Sequence, residues 1–185
     1  MYDSLSRRSF LAAAAAFAAA SGAQASHGRR RVSFDHGVAS GDPLHDRVIL
    51  WTRVTTPNWY DDVDVKWQVA RDPRMRRVVA RGSASANVYR DFTVKVDVDC
   101  LDPAQTYYYQ FSAGGERSVI GRTRTLPRGR ADAARLAVVS CSNLPAGLFN
   151  VYALIARRAD LDAVLHLGDY LYEYGNGAFG DGALL

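Results

Sequence analysis

The chain has 185 residues, a formal net charge of +4 at pH 7 and two cysteines. A positive excess this small and dispersed does not predict nucleic-acid binding, and the arginine run at residues 29–31 is typical of a solvated spacer. No stretch is long and apolar enough to predict a stable membrane anchor.

Residues 1–25 have the pattern of a twin-arginine export signal. Arg7 and Arg8 precede a short, alanine-rich apolar core, and a small-x-small cleavage site ends at Ala25. A membrane-spanning helix is the alternative, but the apolar stretch at residues 10–20 is too short for a bilayer. We expect export in folded form by the twin-arginine machinery and a periplasmic or extracellular location.

Residues 32–127 predict an all-β sandwich of about seven strands, because short alternating runs recur with turn signals between them. The clearest runs lie at residues 48–54, 63–69, 78–80, 92–98, 107–111 and 119–123. Residues 101–107 resemble the corner before a late strand of fibronectin type III-like domains, where a tyrosine hydroxyl bonds to backbone. Tyr107, Tyr109 and Phe111 share one strand face, which we expect to be core.

A short, polar segment at residues 128–135 predicts an interdomain linker before residues 136–185. Apolar runs at residues 136–139 and 163–165 predict two neighbouring, buried, parallel strands. The apolar spacing within residues 147–158 predicts the crossover helix between them. These three elements form the βαβ start of an α/β domain.

Cys141 and Asp169 come just after the two predicted parallel strands. Ligands of open α/β sheets collect beyond the carboxyl ends of the strands, and adjacent strands lie about 4.8 Å apart, so the thiolate and the carboxylate can reach one metal ion. Tyr172 follows on the same loop and adds a phenolate. Three anionic ligands suit a hard, highly charged cation better than magnesium. Taken singly, Asp169 could cap a turn, Cys141 could be inert core, and Tyr172 could be packing.

The remaining cysteine and the histidines have structural interpretations. Two cysteines in an exported protein allow a disulfide, but we expect Cys100 to be a buried or half-buried free thiol rather than the partner of Cys141. His166, inside the second parallel strand, is expected to be packed and hydrogen-bonded. His36 and His45 show no metal-ligand spacing.

Several motifs, in matching order and spacing, resemble the secreted alkaline phosphatase D (PhoD-like) family. They are FDHGVASGDP at 34–43, VILWTR at 48–53, VSCSN at 139–143, GLFN at 147–150 and LGDYLYEY at 167–174. The resemblance covers essentially the whole chain. It implies a fibronectin type III-like sandwich followed by the start of a calcineurin-like metallophosphatase domain.

The resemblance also implies a metal site that holds ferric iron and calcium. By position, Cys141 and Tyr172 would ligate the iron, and Asp169 would bridge iron to calcium. Asn143 would contact substrate or support a metal ligand. The wider superfamily places Asp-x-His on the first strand, and the Ser-Cys-Ser at residues 140–142 is the pattern of this family instead. No catalytic acid or base is assigned.

By this resemblance the protein is a secreted, monomeric phosphatase or phosphodiesterase that hydrolyses phosphate esters for phosphate acquisition. Members of the family continue with downstream asparagine, aspartate and histidine ligands, so we expect these 185 residues to be an N-terminal fragment that is inactive alone. The alternative is a secreted β-sandwich binding module with a non-functional phosphatase remnant. Against it, the sandwich sequence shows no obvious exposed aromatic cluster.

Overall fold

The computed structural model describes residues 32–143 and 149–172. The predicted export signal lies outside these residues, as do positions 147 and 148 of the predicted crossover helix. The described chain divides into two compact units: the first holds residues 32–39, 50–96 and 109–121, and the second holds residues 40–49, 97–108, 122–143 and 149–172. Because the units alternate along the chain, the predicted linker at residues 128–135 stays a prediction.

The described residues are mostly β-structure, as predicted. The first eight strands are β1 (Val38–Gly41), β2 (Val48–Arg53), β3 (Val63–Ala70), β4 (Val78–Ala86), β5 (Thr93–Val98), β6 (Thr106–Ala113), β7 (Glu116–Arg117) and β8 (Gly121–Arg124). One sheet has the order β1-β2-β5; the other has the order β4-β3-β6-β7, and β8 also pairs with β6. About seven strands were predicted between residues 32 and 127. No run was predicted at β1 or β7, because these strands of four and two residues are too short to show an alternating pattern.

The core follows from the period of two along the strands. Val48 and Leu50 on β2 are 1% and 0% exposed. On β6, every second residue is buried, so Tyr107, Tyr109 and Phe111 form one buried face, as predicted. The rings of Tyr109 and Phe111 meet edge to face with centroids 6.2 Å apart.

The turn before β6 has the predicted tyrosine contact. The backbone N–H of Asp102 donates to the hydroxyl of Tyr107 at 2.8 Å. The Tyr107 ring is fully buried, so its hydroxyl needs a polar partner, and the Asp102 amide supplies one. This contact ties the turn at residues 101–105 to the strand that follows it.

After these eight strands, β9 (Leu136–Val139) pairs in parallel with β10 (Ala163–His166). The helix α1 (Asn150–Arg157) lies between them in the chain. The predicted parallel pairing is therefore present, with Leu136 opposite Ala163 and Val139 opposite His166.

The prediction that β9 and β10 are buried is wrong for this chain. Val138 is 56% exposed, Val164 is 49% exposed, and α1 has no buried residue. A parallel sheet buries its faces only where further layers cover them. Within the described residues, two short strands and one two-turn helix supply too few layers to do so.

Candidate metal centre

The chain segments that follow β9 and β10 are joined by backbone hydrogen bonds. The Leu167 amide donates to the Val139 carbonyl at 2.8 Å, the Cys141 amide to the Gly168 carbonyl at 3.1 Å, and the Ser142 amide to the Asp169 carbonyl at 2.8 Å. The pairing of the two strands thus continues past their ends. It brings Cys141 beside Asp169, as their positions after two parallel strands predicted.

The backbone at this edge is unusual at both candidate ligands. Cys141 has φ 62° and Asp169 has φ 51°, in the left-handed region that side-chain-bearing residues seldom adopt, and Gly168 has φ 131°. Such conformations cluster at functional sites, because surrounding structure must hold them in place. Here the paired backbone amides provide that support.

The three predicted ligands lie in contact with one another. The Cys141 Sγ donates to the Asp169 Oδ2 at 3.3 Å, and the Tyr172 hydroxyl donates to the same oxygen at 3.1 Å. The hydrogen bond with Cys141, removal from water and the Asp169 carboxylate together raise the pKa of the Tyr172 phenol. Three acidic groups therefore share one small volume, and each ionises more readily beside a cation.

This donor set fits one highly charged metal ion. A thiolate and a phenolate are suitable ligands for ferric iron, and both groups contact the same oxygen of Asp169. The described part of the chain contains no group of three or more His, Cys, Asp or Glu residues that could hold a metal, so the set depends on Tyr172. For calcium, which prefers oxygen ligands, the set offers only the Asp169 carboxylate. The residues thus fit part of a two-metal site.

Asn143 lies next to this centre. It is half-buried and lines an open groove of about 390 Å³, together with Cys141 and residues 149–152. A polar side chain in a groove that reaches a candidate metal ligand is compatible with contact to substrate. That role stays a prediction.

Two predictions about cysteine have different outcomes. Cys100 and Cys141 are both free, so the predicted absence of a disulfide between them holds. The predicted burial of Cys100 is wrong, because this residue is exposed. Its backbone turns into the left-handed region, with φ 57°, just after β5 ends, and this turn removes the residue from the alternating strand pattern.

His166 and His36 both make side-chain contacts of a structural kind. His166 is half-buried and contacts the hydroxyls of Ser142 and Tyr152 through Nε2. In the first compact unit, His36 Nε2 lies 2.6 Å from the guanidinium of Arg53. Sequence reasoning assigned no role to Ser142, and it placed Tyr152 only on the apolar face of the predicted helix.

Three aromatic side chains are exposed within residues 32–127, and the expected lack of an aromatic cluster there stays a prediction. Tyr60 and Tyr89 are 96% and 94% exposed, and Trp59 is 57% exposed. The Trp59 ring packs edge-on against Phe92, three residues after Tyr89, with centroids 5.9 Å apart. Trp59 and Tyr60 lie on a loop, and Tyr89 lies in the short 3-10 helix Val88–Arg90. Strand periodicity carries no information about burial outside the strands.

Comparison with known proteins identifies the family. Residues 18–127 match the model of the PhoD-like phosphatase N-terminal domain, and residues 136–183 match the PhoD-like phosphatase model. The chain therefore belongs to the PhoD-like phosphatase family, and the candidate metal centre lies in the second matched segment.

Two relatives give the extent of the similarity. Alkaline phosphatase D of Bacillus subtilis (strain 168) is 41% identical over an alignment of 150 residues, which covers 77% of this chain and 26% of that protein. A solved structure of PhoD matches with a TM-score of 0.71 and 40% identity, covering 78% of this chain and 29% of that chain. The chain thus spans about a quarter of the length of the curated relative. Among the residues with described structure, no helix is both long and apolar enough to cross a bilayer.

Proposed function

We propose that these residues belong to a metal-dependent phosphatase that hydrolyses phosphate mono- and diesters outside the cytoplasm. The observation that carries this proposal is the contact of Cys141 and Tyr172 with one oxygen of Asp169, at 3.3 and 3.1 Å, in a segment that matches the PhoD-like phosphatase model. In this proposal, residues 32–127 are a fibronectin type III-like sandwich and residues 136–185 begin a calcineurin-like α/β domain.

Ferric iron and calcium are the metals that the proposal assigns to this centre. When bound, they supply Lewis acidity that polarises a phosphoryl oxygen and lowers the pKa of an oxygen nucleophile. Cys141 and Tyr172 would hold the iron, and the Asp169 carboxylate would hold both ions. The Cys141 thiol and the Tyr172 phenol give up their protons on metal binding, so affinity rises with pH until both are ionised.

Spectroscopy of the chain reconstituted with ferric iron tests the ligand assignment. Phenolate ligation predicts a visible absorption band, which Tyr172→Phe should abolish because it removes the oxygen and keeps the ring. Cys141→Ser should shift the band and weaken iron retention, since a hydroxyl ionises poorly. Asp169→Asn should have the lowest metal content of these variants. Tyr170→Phe, a matched loss of a hydroxyl from an exposed tyrosine on the same loop, should keep the band. An unchanged band in Tyr172→Phe contradicts the assignment.

Hydrolysis needs more ligands than the three in contact here, because the two-metal mechanism requires both ions to be held. We therefore expect the 185 residues alone to hydrolyse no chromogenic phosphate ester. A chimera tests the activity itself: the matched part of this chain replaces the corresponding part of the Bacillus subtilis protein. We expect metal-dependent turnover that Tyr172→Phe reduces strongly. A folded, iron-loaded chimera without turnover would contradict the proposed activity.

We also propose that the twin-arginine machinery exports the protein as a monomer that serves phosphate acquisition. The support is the paired arginine at positions 7 and 8, ahead of an alanine-rich stretch. Fusion of residues 1–31 to a reporter that is active only outside the cytoplasm tests this. Replacement of Arg7 and Arg8 by lysine should stop export, and continued export would argue against this route.

The alternative function, binding by the sandwich, has one observation in its favour. Trp59, Tyr60 and Tyr89 are exposed outside the strands, and aromatic residues are enriched where proteins bind partners. Co-sedimentation of the chain with insoluble cell-wall polysaccharide is the direct test. Binding that Trp59→Ala removes, while Val79→Ala at an exposed strand position leaves it intact, would support this function.

A further inference from the structure

Three polar side chains from three different elements meet beside the candidate metal centre. Ser142 follows β9, Tyr152 lies on α1, and His166 ends β10. The Ser142 hydroxyl lies 2.8 Å from His166 Nε2, which is 3.0 Å from the Tyr152 hydroxyl, and the two hydroxyls also bond to each other. We call this set the hydroxyl-imidazole triangle.

Hydrogen bonds at both ring nitrogens determine the orientation of the His166 imidazole. The backbone N–H of Gly168 donates to His166 Nδ1 at 3.3 Å, so in the neutral ring the proton lies on Nε2. Nε2 therefore donates to the hydroxyls of the triangle. The Tyr152 ring stacks on the imidazole with an interplanar angle of 17°, and Tyr170 meets it edge-on at 5.0 Å. These contacts hold the ring in one orientation.

The triangle is connected to both segments that carry candidate ligands. Ser142 directly follows Cys141, and its backbone N–H donates to the Asp169 carbonyl at 2.8 Å. His166 accepts from the Gly168 amide, one residue before Asp169. The triangle is thus joined to the backbone next to Cys141 through Ser142, and to the backbone next to Asp169 through His166.

We propose that Ser142, Tyr152 and His166 are positioning residues that set the spacing between Cys141 and Asp169, and through that spacing the metal affinity. The inference rests on the proposed metal-binding function of those two residues. Groups that orient metal ligands without touching the ion are required for full affinity, because a ligand that samples many positions loses entropy on binding.

Apolar burial contributes little to holding this edge of the sheet together. β9, α1 and β10 contain no buried residue, and Leu165, one position before His166, is 46% exposed. Among the described residues, the hydrogen bonds of the triangle and the stacking of Tyr152 on His166 join α1 to the ends of the two strands. In a purely apolar interface the hydroxyls of Ser142 and Tyr152 would lack hydrogen-bond partners, and unpaired buried hydroxyls are costly in free energy.

Iron titration of the 185-residue chain, followed by its visible absorption, tests the effect on affinity. Ser142→Ala and Tyr152→Phe should each lower the affinity for ferric iron about tenfold or more, the usual effect of removing a group that orients a ligand. Ser142→Thr restores the hydroxyl and should restore affinity. Tyr170→Phe keeps its ring contact and should behave as wild type.

Amide hydrogen exchange without metal tests the positioning itself. In Ser142→Ala the amides of residues 141 and 142 should exchange about tenfold faster, because loss of one hydrogen bond changes an opening equilibrium by roughly that factor. Unchanged exchange, or faster exchange with unchanged iron affinity, would overturn the proposal. If the exchange result holds but wild type binds no iron at Cys141, the proposed metal function fails and the positioning of the two segments stands.

Discussion

Replacing Gly121 with alanine places a methyl group where the structure has no room for one. An ideal Cβ at this position lies 2.3 Å from Tyr109 Cζ and 2.6 Å from its hydroxyl oxygen. Favourable carbon contacts begin near 3.5 Å, so the ring must retreat by about 1 Å. It has little freedom to do so, because Tyr109 is 2% exposed and packs edge-on against Phe111. Overpacking of this kind costs about 1–3 kcal/mol in unfolding free energy.

For a domain of this size, each kcal/mol lost lowers the melting temperature by roughly 4–8 °C. Thermal unfolding of the chain, followed by near-ultraviolet circular dichroism, measures it. Gly41→Ala is the matched control, because a Cβ at Gly41 meets nothing within 4 Å. In a double-mutant cycle, Tyr109→Leu removes the clashing atoms, so Gly121→Ala should then cost less. The reasoning is refuted if Gly121→Ala has the same melting temperature as the wild type, or if both glycine variants lose equal stability.

Three further predictions concern the rest of the described chain. Tyr107→Phe should lower the unfolding free energy by about 1–3 kcal/mol, because the Asp102 amide loses a buried acceptor; an unchanged urea midpoint would count against this. The backbone N–H groups of Arg77, Arg76 and Arg74 donate to the Asp72 carboxylate and lower its pKa, so its contribution to stability is complete above the ordinary aspartate pKa and is lost as pH falls through the lowered value. Carboxyl titration by NMR checks the direction, and Asp72→Asn should make the acid dependence of unfolding shallower. In limited proteolysis residues 32–127 should resist cleavage and residues 136–172 should be cut first, since the buried core lies within the former; the reverse order would contradict the proposed folding units.

Local patterns in the sequence were sufficient to predict the strands and the place of the site. Alternation at residues 107–111 predicted the buried face of β6, because successive side chains on a strand point to opposite sides. Two apolar runs separated by a helical pattern predicted parallel neighbours. Parallel strands end at one edge, so Cys141 and Asp169 were expected to meet there, and in the structure they do. That these residues bind metal stays a prediction.

The order and spacing of the motifs were enough to indicate the family, and the family models agree with that assignment. Such motifs indicate the chemistry of the candidate site because the sequence gives the types of the candidate ligands and their spacing directly. Cys141, Asp169 and Tyr172 lie close to strand ends, where a few residues of chain decide what is brought together.

Only the tertiary structure decided which residues support that site and which are buried. Ser142, Tyr152 and His166 meet because α1 turns one face towards the ends of β9 and β10, and no local pattern encodes that long-range arrangement. The exposure of Val138 and Val164 was likewise hidden, since apolar strands are buried only where another layer covers them. Periodicity records which side chains share a face; contacts between distant segments decide what that face touches.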